Sequence, residues 1–195
     1  IGTVAEVRGK LLDDPCYYDH YMPCHDESQI HYLPHQAVVK ASTQKLRVVY
    51  DASAKPFKAA FSLNECLETG PSLIQSLADV LTRFRLKKCA FVADIAIAFL
   101  QIVVDPCDRD SLRLLWRKGE QVIIYRFNRL PFGLSISPFV LAATLKYLLK
   151  SSELESEEVQ AVIRAFYVDD WVSSMDNEDE VLGERTRVQD VLDEG

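Results

Sequence analysis

The chain has 195 residues, of which 48% are hydrophobic and 26% are charged, and this composition excludes wholesale disorder and predicts a globular protein with a sizeable core. Its net charge is −7, but the acidity is concentrated near one end: residues 151–195 hold 14 acidic and 3 basic side chains, which leaves residues 1–150 slightly positive. The charge therefore neither supports nor excludes a nucleic-acid partner.

The longest apolar run, around residues 89–104, is interrupted by Asp94, so the sequence predicts no membrane span. Five cysteines, an odd number without regular spacing, are typical of reduced thiols and predict an intracellular, cytoplasmic protein. They are Cys16, Cys24, Cys66, Cys89 and Cys107. Because the chain begins with Ile1 and ends inside a charged helical pattern, we expect a fragment of a longer polypeptide.

The first elements in chain order are a predicted hairpin and a predicted helix. Residues 37–40 and 46–50 have strand-like composition and are separated by a polar turn. Ser72, with Gln75 three residues later, has the spacing of a capping box. Apolar residues then follow at helical spacing as far as Phe84, so the pattern predicts a helix that starts near Ser72.

The middle of the chain is predicted to contain three strands. Residues 89–93 form a continuous apolar stretch, which indicates a buried strand that ends at Asp94. Residues 112–116 and 122–127 are rich in strand formers and flank a turn that contains Gly119. This arrangement predicts a second hairpin.

Helices dominate the last third of the predicted structure. Ser137 followed by proline is typical of a helix start, and a helix is predicted over residues 137–148. Residues 154–166 begin as a charged helix and lead into a strand, and a final amphipathic helix starts near Asp176. Hairpins and helices without regular strand–helix alternation predict an α+β fold, with an antiparallel sheet backed by helices.

A pair of adjacent acidic residues follows an apolar run in this region. Tyr167, Val168, Asp169 and Asp170 come after the apolar residues 161–166. Successive side chains of a strand point to opposite faces, so two adjacent aspartates serve one site only where the strand bends. Adjacent carboxylates also repel each other, and a divalent cation relieves that repulsion. The pattern predicts a hairpin bend that binds metal; a solvated turn is the alternative.

A third acidic residue, Asp94, ends a predicted strand, and it would join Asp169 and Asp170 if the two strands were neighbours. An all-carboxylate site fits Mg²⁺ better than Zn²⁺, because Mg²⁺ prefers carboxylate and phosphate oxygens. Two such ions about 4 Å apart can stabilise the attacking and leaving oxygens of a phosphoryl displacement. The sequence therefore predicts a site for two Mg²⁺ ions, with Mn²⁺ as a substitute; strand-end capping is the alternative for Asp94.

Four blocks of this sequence resemble motifs of reverse transcriptases. They occur in the order and spacing of that family across residues 32–175, and their residues are most similar to those of the Bel/Pao group of LTR retrotransposons. The blocks are a fingers segment (residues 46–53), a first aspartate motif (91–102), a substrate-pocket motif (130–138) and a catalytic box (167–170), with Tyr32, Leu33, Pro34 and His35 just upstream of the first.

The resemblance implies a role for each matching residue. Asp94, Asp169 and Asp170 would be the catalytic, metal-binding carboxylates. The positions that would bind the incoming deoxynucleoside triphosphate are Lys40, Arg47, Phe99, Phe132, Gly133 and Tyr167.

Among these positions, Lys40 and Arg47 would grip the triphosphate, to which the planar guanidinium is well suited. Phe99 would abut the sugar and exclude a ribose 2′-hydroxyl, and Gly133 would let the backbone approach the nucleotide. Without the resemblance, the residues alone favour simpler roles: solvated hairpin charges, a core ring and an ordinary turn glycine.

Two positions depart from the family pattern. Phe132 stands where retroviral enzymes carry a glutamine, so a hydrogen bond to substrate is lost there. Ile97 stands where many relatives have a charged or polar residue, which leaves Asp94 untouched. The helical thumb, the connecting region and the ribonuclease H domain are not among the matching blocks.

Two weaker candidates lie near the start of the chain. Cys16, His20, Cys24 and His25 contain zinc-ligand atoms, but their spacing matches no common zinc finger, and a polar loop is the preferred interpretation. Three tyrosines have rings that can stack on bases, although packing is the preferred role. They are Tyr17, Tyr18 and Tyr21.

The resemblance implies an RNA-directed DNA polymerase core within a retrotransposon polyprotein. Fingers would comprise residues 1–70 and 103–134, and palm residues 71–102 and 135–195. The expected partners are a primed RNA or DNA template, deoxynucleoside triphosphates and the remaining polyprotein segments, with no membrane, and a virus-like particle if the element is active. The alternatives are a catalytically inactive or domesticated remnant that acts as a binding module, and an RNA-dependent RNA polymerase, against which Phe99 argues.

Overall fold

The structure is a computed structural model that describes residues 18–20, 30–39 and 46–194. The chain divides into two compact units: unit 1 comprises Ile1–Thr69 and Phe99–Ser137, and unit 2 comprises Gly70–Ala98 and Pro138–Gly195. The strands are β1 (Tyr18–His20), β2 (His35–Val39), β3 (Leu46–Tyr50), β4 (Cys89–Asp94), β5 (Arg113–Lys118), β6 (Gln121–Phe127), β7 (Phe166–Tyr167) and β8 (Asp170–Met175). The helices are α1 (Leu63–Cys66), α2 (Leu77–Phe84), α3 (Ser137–Ser151), α4 (Ser156–Ala165) and α5 (Glu178–Glu194).

Unit 1 contains two antiparallel sheets, a three-stranded one in the order β1-β6-β5 and a two-stranded one formed by β2 and β3. Both predicted hairpins are confirmed. In the second one Lys118 pairs with Gln121, so only two residues close the turn. Gly119 has a φ of 65°, a conformation that glycine adopts without the steric cost of a side chain. The turn of the first hairpin lies outside the described residues.

A buried ion cluster joins the two strands of the β5–β6 hairpin to the segment before them. The Arg113 side chain is 1% exposed, and its Nη2 lies 2.8 Å from Oδ1 of Asp110. Arg126 reaches the same oxygen at 3.3 Å. The backbone N–H of Arg113 donates to His31, and the carbonyl of Arg113 accepts from Leu33. These backbone hydrogen bonds attach residues 31–33, which lead into β2, to Arg113 at the start of β5.

Unit 2 is built on a three-stranded antiparallel sheet in the order β4-β8-β7, against which α2, α4 and α5 pack. The Phe91 ring meets Trp171 edge to face at 5.1 Å, and Phe166 stacks on Trp171 at 5.9 Å. The prediction that β4 is buried throughout is wrong, because its side chains alternate and Val92 is 60% exposed. One face of β4 packs on the core while the other is open, as is common in antiparallel sheets.

The predicted helices are present, although one begins later than expected. The capping box expected at Ser72 is wrong: α2 begins at Leu77, with Ser76 as its N-cap. A capping box does form at Ser62, whose hydroxyl accepts from the backbone N–H of Glu65, while the Glu65 carboxylate accepts from the Ser62 backbone. That box starts the single turn of α1.

The longer helices bury apolar residues at helical spacing. Leu141, Leu145 and Leu149 form a buried stripe on α3, and Val159 and Val162 do the same on α4. Together with the antiparallel sheets, these helices confirm the predicted α+β class. None of the helices in the described part of the chain is long and apolar enough to cross a membrane.

Candidate active site

The two adjacent aspartates lie at a tight bend, as predicted. β7 ends at Tyr167, β8 begins at Asp170, and these two residues pair, so Val168 and Asp169 form a two-residue turn. Val168 has a φ of 60°, a conformation that is unfavourable for a β-branched residue. Val168 and Phe166 both line an apolar pocket of unit 2.

The strand register brings Asp94 to the same place. Asp94 is the last residue of β4 and lies directly opposite Asp170, the first residue of β8. The backbone N–H of Ile95 donates to the Asp169 carbonyl at 3.1 Å, which ties the end of β4 to the turn. Directly opposite residues of an antiparallel pair point to the same face of a sheet. Asp94 and Asp170 therefore share one face, with Asp169 next to them in the turn.

Desolvation and the repulsion between these carboxylates both disfavour the ionised form of Asp170. Desolvation by neighbouring protein atoms raises the pKa of the exposed Asp170 above its ordinary value, and the negative charges of Asp169 and Asp94 raise it further. The negative charges of Asp169 and Asp94, like desolvation, oppose the ionised form of Asp170. A bound cation would remove that penalty, so the electrostatics favour a cation at this edge of the sheet.

The donor set has the chemistry of a magnesium site. It consists of carboxylate oxygens, which Mg²⁺ prefers over imidazole or thiolate ligands. Among residues 30–39 and 46–194, however, no three His, Cys, Asp or Glu side chains are arranged so that they could hold a metal ion. The strand register places the backbone of the three aspartates at one end of the sheet, and binding of two ions remains a prediction.

A second strained residue lies close to these aspartates. Ile97 has a φ of 50° in the turn that follows β4, three residues after Asp94. Ile97 and Val168 are the two non-glycine residues with positive φ in the described part of the chain. Backbone strain of this kind costs on the order of 1–3 kcal/mol and clusters at functional sites. Its position here is a further observation that favours a site at the three aspartates.

In unit 1 the structure brings three predicted nucleotide-binding residues together. The rings of Phe99 and Phe132 meet edge to face, with centroids 4.9 Å apart. Gly133 follows with a φ of 97°, and a Cβ there would lie 2.6 Å from the carbonyl oxygen of Tyr50, at the end of β3. Only glycine fits this close approach of the backbone to β3.

The structure describes only some of the other predicted site residues. Arg47 lies on β3 with its side chain exposed, and Tyr167 is half-buried next to the Val168 turn. Lys40 lies outside the described residues, as do Cys16, Cys24 and His25 of the candidate zinc set. Of His20 only the backbone is described, in β1. Lys40 and the zinc site thus stay predictions.

Sequence reasoning missed two groups of polar residues in unit 1. One is the buried ion cluster of Asp110, Arg113 and Arg126, for which no local pattern signals burial. The other is Asn64, whose side chain connects loops that are far apart in the sequence. The sequence did contain a signal for α1, the helix that carries Asn64, because Ser62 and Glu65 have capping-box spacing.

Solved structures with the same fold come from foamy viruses. The native prototype foamy virus protease-reverse transcriptase matches 83% of this chain with 22% identity and a TM-score of 0.61. The foamy viral protease-reverse transcriptase in complex with an RNA/DNA hybrid matches 98% with 20% identity and a TM-score of 0.69. The same kind of enzyme in complex with double-stranded DNA matches 98% with 21% identity and a TM-score of 0.69.

The match covers only part of each of these proteins, because the chain spans 19%, 23% and 34% of their respective lengths. No family model matches the sequence, and no curated protein matches it. At about one identical residue in five, the likeness concerns the fold. The chain has the mixed α and β fold of part of a reverse transcriptase, as the sequence motifs predict.

Proposed function

We propose that this chain is the core of an RNA-directed DNA polymerase from an LTR retrotransposon of the Bel/Pao group. One observation carries the proposal: Asp94 and Asp170 lie opposite each other on paired strands, with Asp169 in the adjoining turn. The four sequence motifs and the shared fold support it. Unit 1 would correspond to the fingers and unit 2 to the palm.

The proposed reaction is attack of a primer 3′-hydroxyl on the α-phosphate of a deoxynucleoside triphosphate, with release of pyrophosphate. Asp94, Asp169 and Asp170 would hold two Mg²⁺ ions. When bound, the ions would supply positive charge to the attacking and leaving oxygens. The paired strands hold the three aspartates in place before substrate arrives, and such preorganisation supplies much of the rate in phosphoryl transfer.

Unit 1 would hold the nucleotide. Arg47, with Lys40, would bind the triphosphate oxygens. Tyr167 is also proposed to contact the nucleotide. Phe99 would contact the sugar and select against a 2′-hydroxyl. A template strand needs no base-specific side chain, since base pairing carries the sequence. Primed RNA and DNA are the proposed nucleic-acid partners, and the foamy viral enzymes that share the fold are seen with an RNA/DNA hybrid and with double-stranded DNA.

The second candidate is a catalytically inactive or domesticated reverse transcriptase remnant that acts as a binding module. The two candidate functions differ in whether Asp94, Asp169 and Asp170 catalyse nucleotidyl transfer to a primer.

Primer extension on an RNA template separates them. The protein would be a polypeptide that carries these 195 residues together with the remaining polymerase segments. We expect extension with Mg²⁺, none after chelation, and a loss of about 1000-fold in Asp169→Asn, since a group that stabilises the transition state is removed. Asp190→Asn, an exposed change on α5, is the matched control and should keep full activity. Undiminished synthesis by Asp169→Asn would refute the catalytic role of the aspartates.

A further inference from the structure

The side chain of Asn64 connects two loops of unit 1 that are distant in sequence. Its Nδ2 donates to the hydroxyl of Ser53 at 2.9 Å and to the carbonyl of Gly133 at 3.1 Å. Its Oδ1 accepts from the backbone N–H of Ser135 at 2.8 Å. The Ser135 hydroxyl also donates to the backbone carbonyl of Asn64, at 3.4 Å. We call this set of hydrogen bonds the Asn64 bridge.

The bridge requires an amide at this position. An amide has a donor and an acceptor group side by side, and each faces a partner of the opposite kind here: the Gly133 carbonyl meets the NH₂ group and the Ser135 N–H meets the oxygen. An aspartate of the same shape would place a second acceptor against the Gly133 carbonyl. Shorter side chains would lose the bonds, so Asn64 is matched to both loop positions.

Asn64 is itself firmly placed. It belongs to α1, whose first residue Leu63 is buried and whose capping box joins Ser62 to Glu65. Lys55 binds the same glutamate at 2.6 Å, and the backbone N–H of Asn64 donates to Ala52 at 3.0 Å. The bridge thus starts from a fixed turn and acts on the loop at Gly133.

That loop carries the aromatic pair. Phe132 precedes Gly133 directly, and its ring contacts Phe99 at 4.9 Å. On its other side, Gly133 approaches the Tyr50 carbonyl so closely that a Cβ would lie 2.6 Å from it. The Asn64 bridge and the β3 end together determine where the Gly133 backbone and the Phe132 ring lie.

We propose that Asn64 is a positioning residue for the incoming deoxynucleotide: through its bridge to Gly133 and Ser135 it fixes the backbone and the Phe132–Phe99 ring pair that would face the sugar. This inference rests on the proposed polymerase function. It adds a residue that contacts no substrate and yet determines nucleotide affinity and sugar selection.

Hydrogen–deuterium exchange tests the bridge without any activity. In the wild type, the Ser135 N–H should be protected by Asn64. In Asn64→Ala its exchange should become about tenfold faster or more, because the acceptor is gone. The matched control is Asn177→Asp, since Asn177 also donates to and accepts from one neighbour, Glu180, but in unit 2. Unchanged protection of Ser135 in Asn64→Ala would overturn the bridge.

Steady-state kinetics on primed RNA test the positioning role. We expect Asn64→Asp to raise the KM for deoxynucleotide about tenfold while kcat changes less than about threefold, since the change affects placement of the nucleotide and not the aspartates. Discrimination against ribonucleotides should fall in the same variant. Asn177→Asp should change neither quantity. A general loss of folded protein would lower kcat without raising KM, so this split separates positioning from a purely structural role.

The outcomes distinguish this inference from the proposed function. An inactive wild type would overturn the proposed function and the substrate role of Asn64 with it, whereas the exchange experiment would still decide whether the bridge exists. An active wild type with an unchanged KM in Asn64→Asp would overturn the positioning role alone.

Discussion

The rings of Phe99 and Phe132 meet edge to face, with centroids 4.9 Å apart and planes inclined at 76°. This geometry is favourable for aromatic pairs because the positive edge of one ring meets the negative face of the other. Phe132 stands where the family resemblance predicts a glutamine in retroviral enzymes. The structure gives it a partner, so each ring restricts the rotation of the other.

Phe99→Ala should therefore relax sugar selection. Removal of the ring opens space for a 2′-hydroxyl and frees Phe132, and we expect the ratio of kcat/KM for deoxy- over ribonucleotide to fall about 10- to 100-fold. Competing incorporation assays on primed RNA measure the ratio. Phe61→Ala is the control, because Phe61 is 76% exposed in the same unit. An unaltered ratio in Phe99→Ala would remove Phe99 from the selection of the sugar.

Gly133→Ala should destabilise the protein much more than Gly119→Ala. Both glycines have positive φ, but a Cβ at Gly133 would lie 2.6 Å from the Tyr50 carbonyl oxygen, whereas at Gly119 nothing lies within 4 Å. We expect Gly119→Ala to lower the free energy of unfolding by about 1 kcal/mol and Gly133→Ala by roughly 3 kcal/mol. Urea denaturation measures both. Equal losses would show that the close approach to Tyr50 is not rigid.

Asp110→Asn should cost more stability than an equivalent change at the surface. It removes the negative charge that faces Arg113, whose side chain is 1% exposed, and an unpaired buried charge costs about 3–5 kcal/mol. Asp176→Asn is the matched control: Asp176 pairs with Lys87 at 2.9 Å, but the two side chains are 62% and 43% exposed. Its loss should stay below about 1 kcal/mol. Similar losses in the two variants would contradict the special position of Asp110.

Glu184→Gln should stabilise the protein at neutral pH. Burial raises the pKa of Glu184 above its ordinary value of 4.5, and the charge of Glu158 raises it further, while Arg187 and Lys87 lower it. The unfolded state therefore binds fewer protons than the folded state above pH 4.5, so stability falls as pH rises from 4.5 through the raised pKa.

The substitution should remove this loss and raise the free energy of unfolding at pH 7 by about 1 kcal/mol. Below pH 4.5 the variant and the wild type should converge, because the carboxyl is then neutral in both states. Thermal denaturation across this pH range provides the measurement. The exposed residue Glu153 supplies the control, Glu153→Gln. A constant difference at every pH would show that the buried charge is not the cause.

Local patterns predicted those elements whose determinants are local. The β5–β6 hairpin has strand formers on both sides of Gly119, and the structure places a positive φ at that residue. The carboxylate bend between β7 and β8 follows equally from two adjacent acids after an apolar run. The pairing of Asp94 with Asp170 needed the motif resemblance, because strand order is not encoded in either strand.

The features that the sequence did not predict depend on more than the residues next to them in the chain. Ser72 has capping-box spacing, but α2 begins at Leu77, so local spacing alone does not determine the helix start. Asn64 bonds to Gly133 across 69 positions of sequence. No window of residues around Asn64 reveals that partner.

The pairing of β4 with β8 also means that the separation of Asp94 and Asp170 does not depend on the length of the loops between the two strands. Asp94 and Asp170 are held opposite each other by the ladder of strand hydrogen bonds. The loops of the segment between them, which also contains β5, β6, α3 and α4, do not set their separation. Insertions and deletions in those loops are therefore tolerated so long as the ladder keeps its register, except in the turn of Val168 and Asp169, where an added residue would displace Asp169. A one-residue slip of β8, by contrast, would turn Asp170 to the opposite face and separate the acids. Divergence in this protein is thus expected to accumulate as length variation in the intervening loops, and not within the two strands.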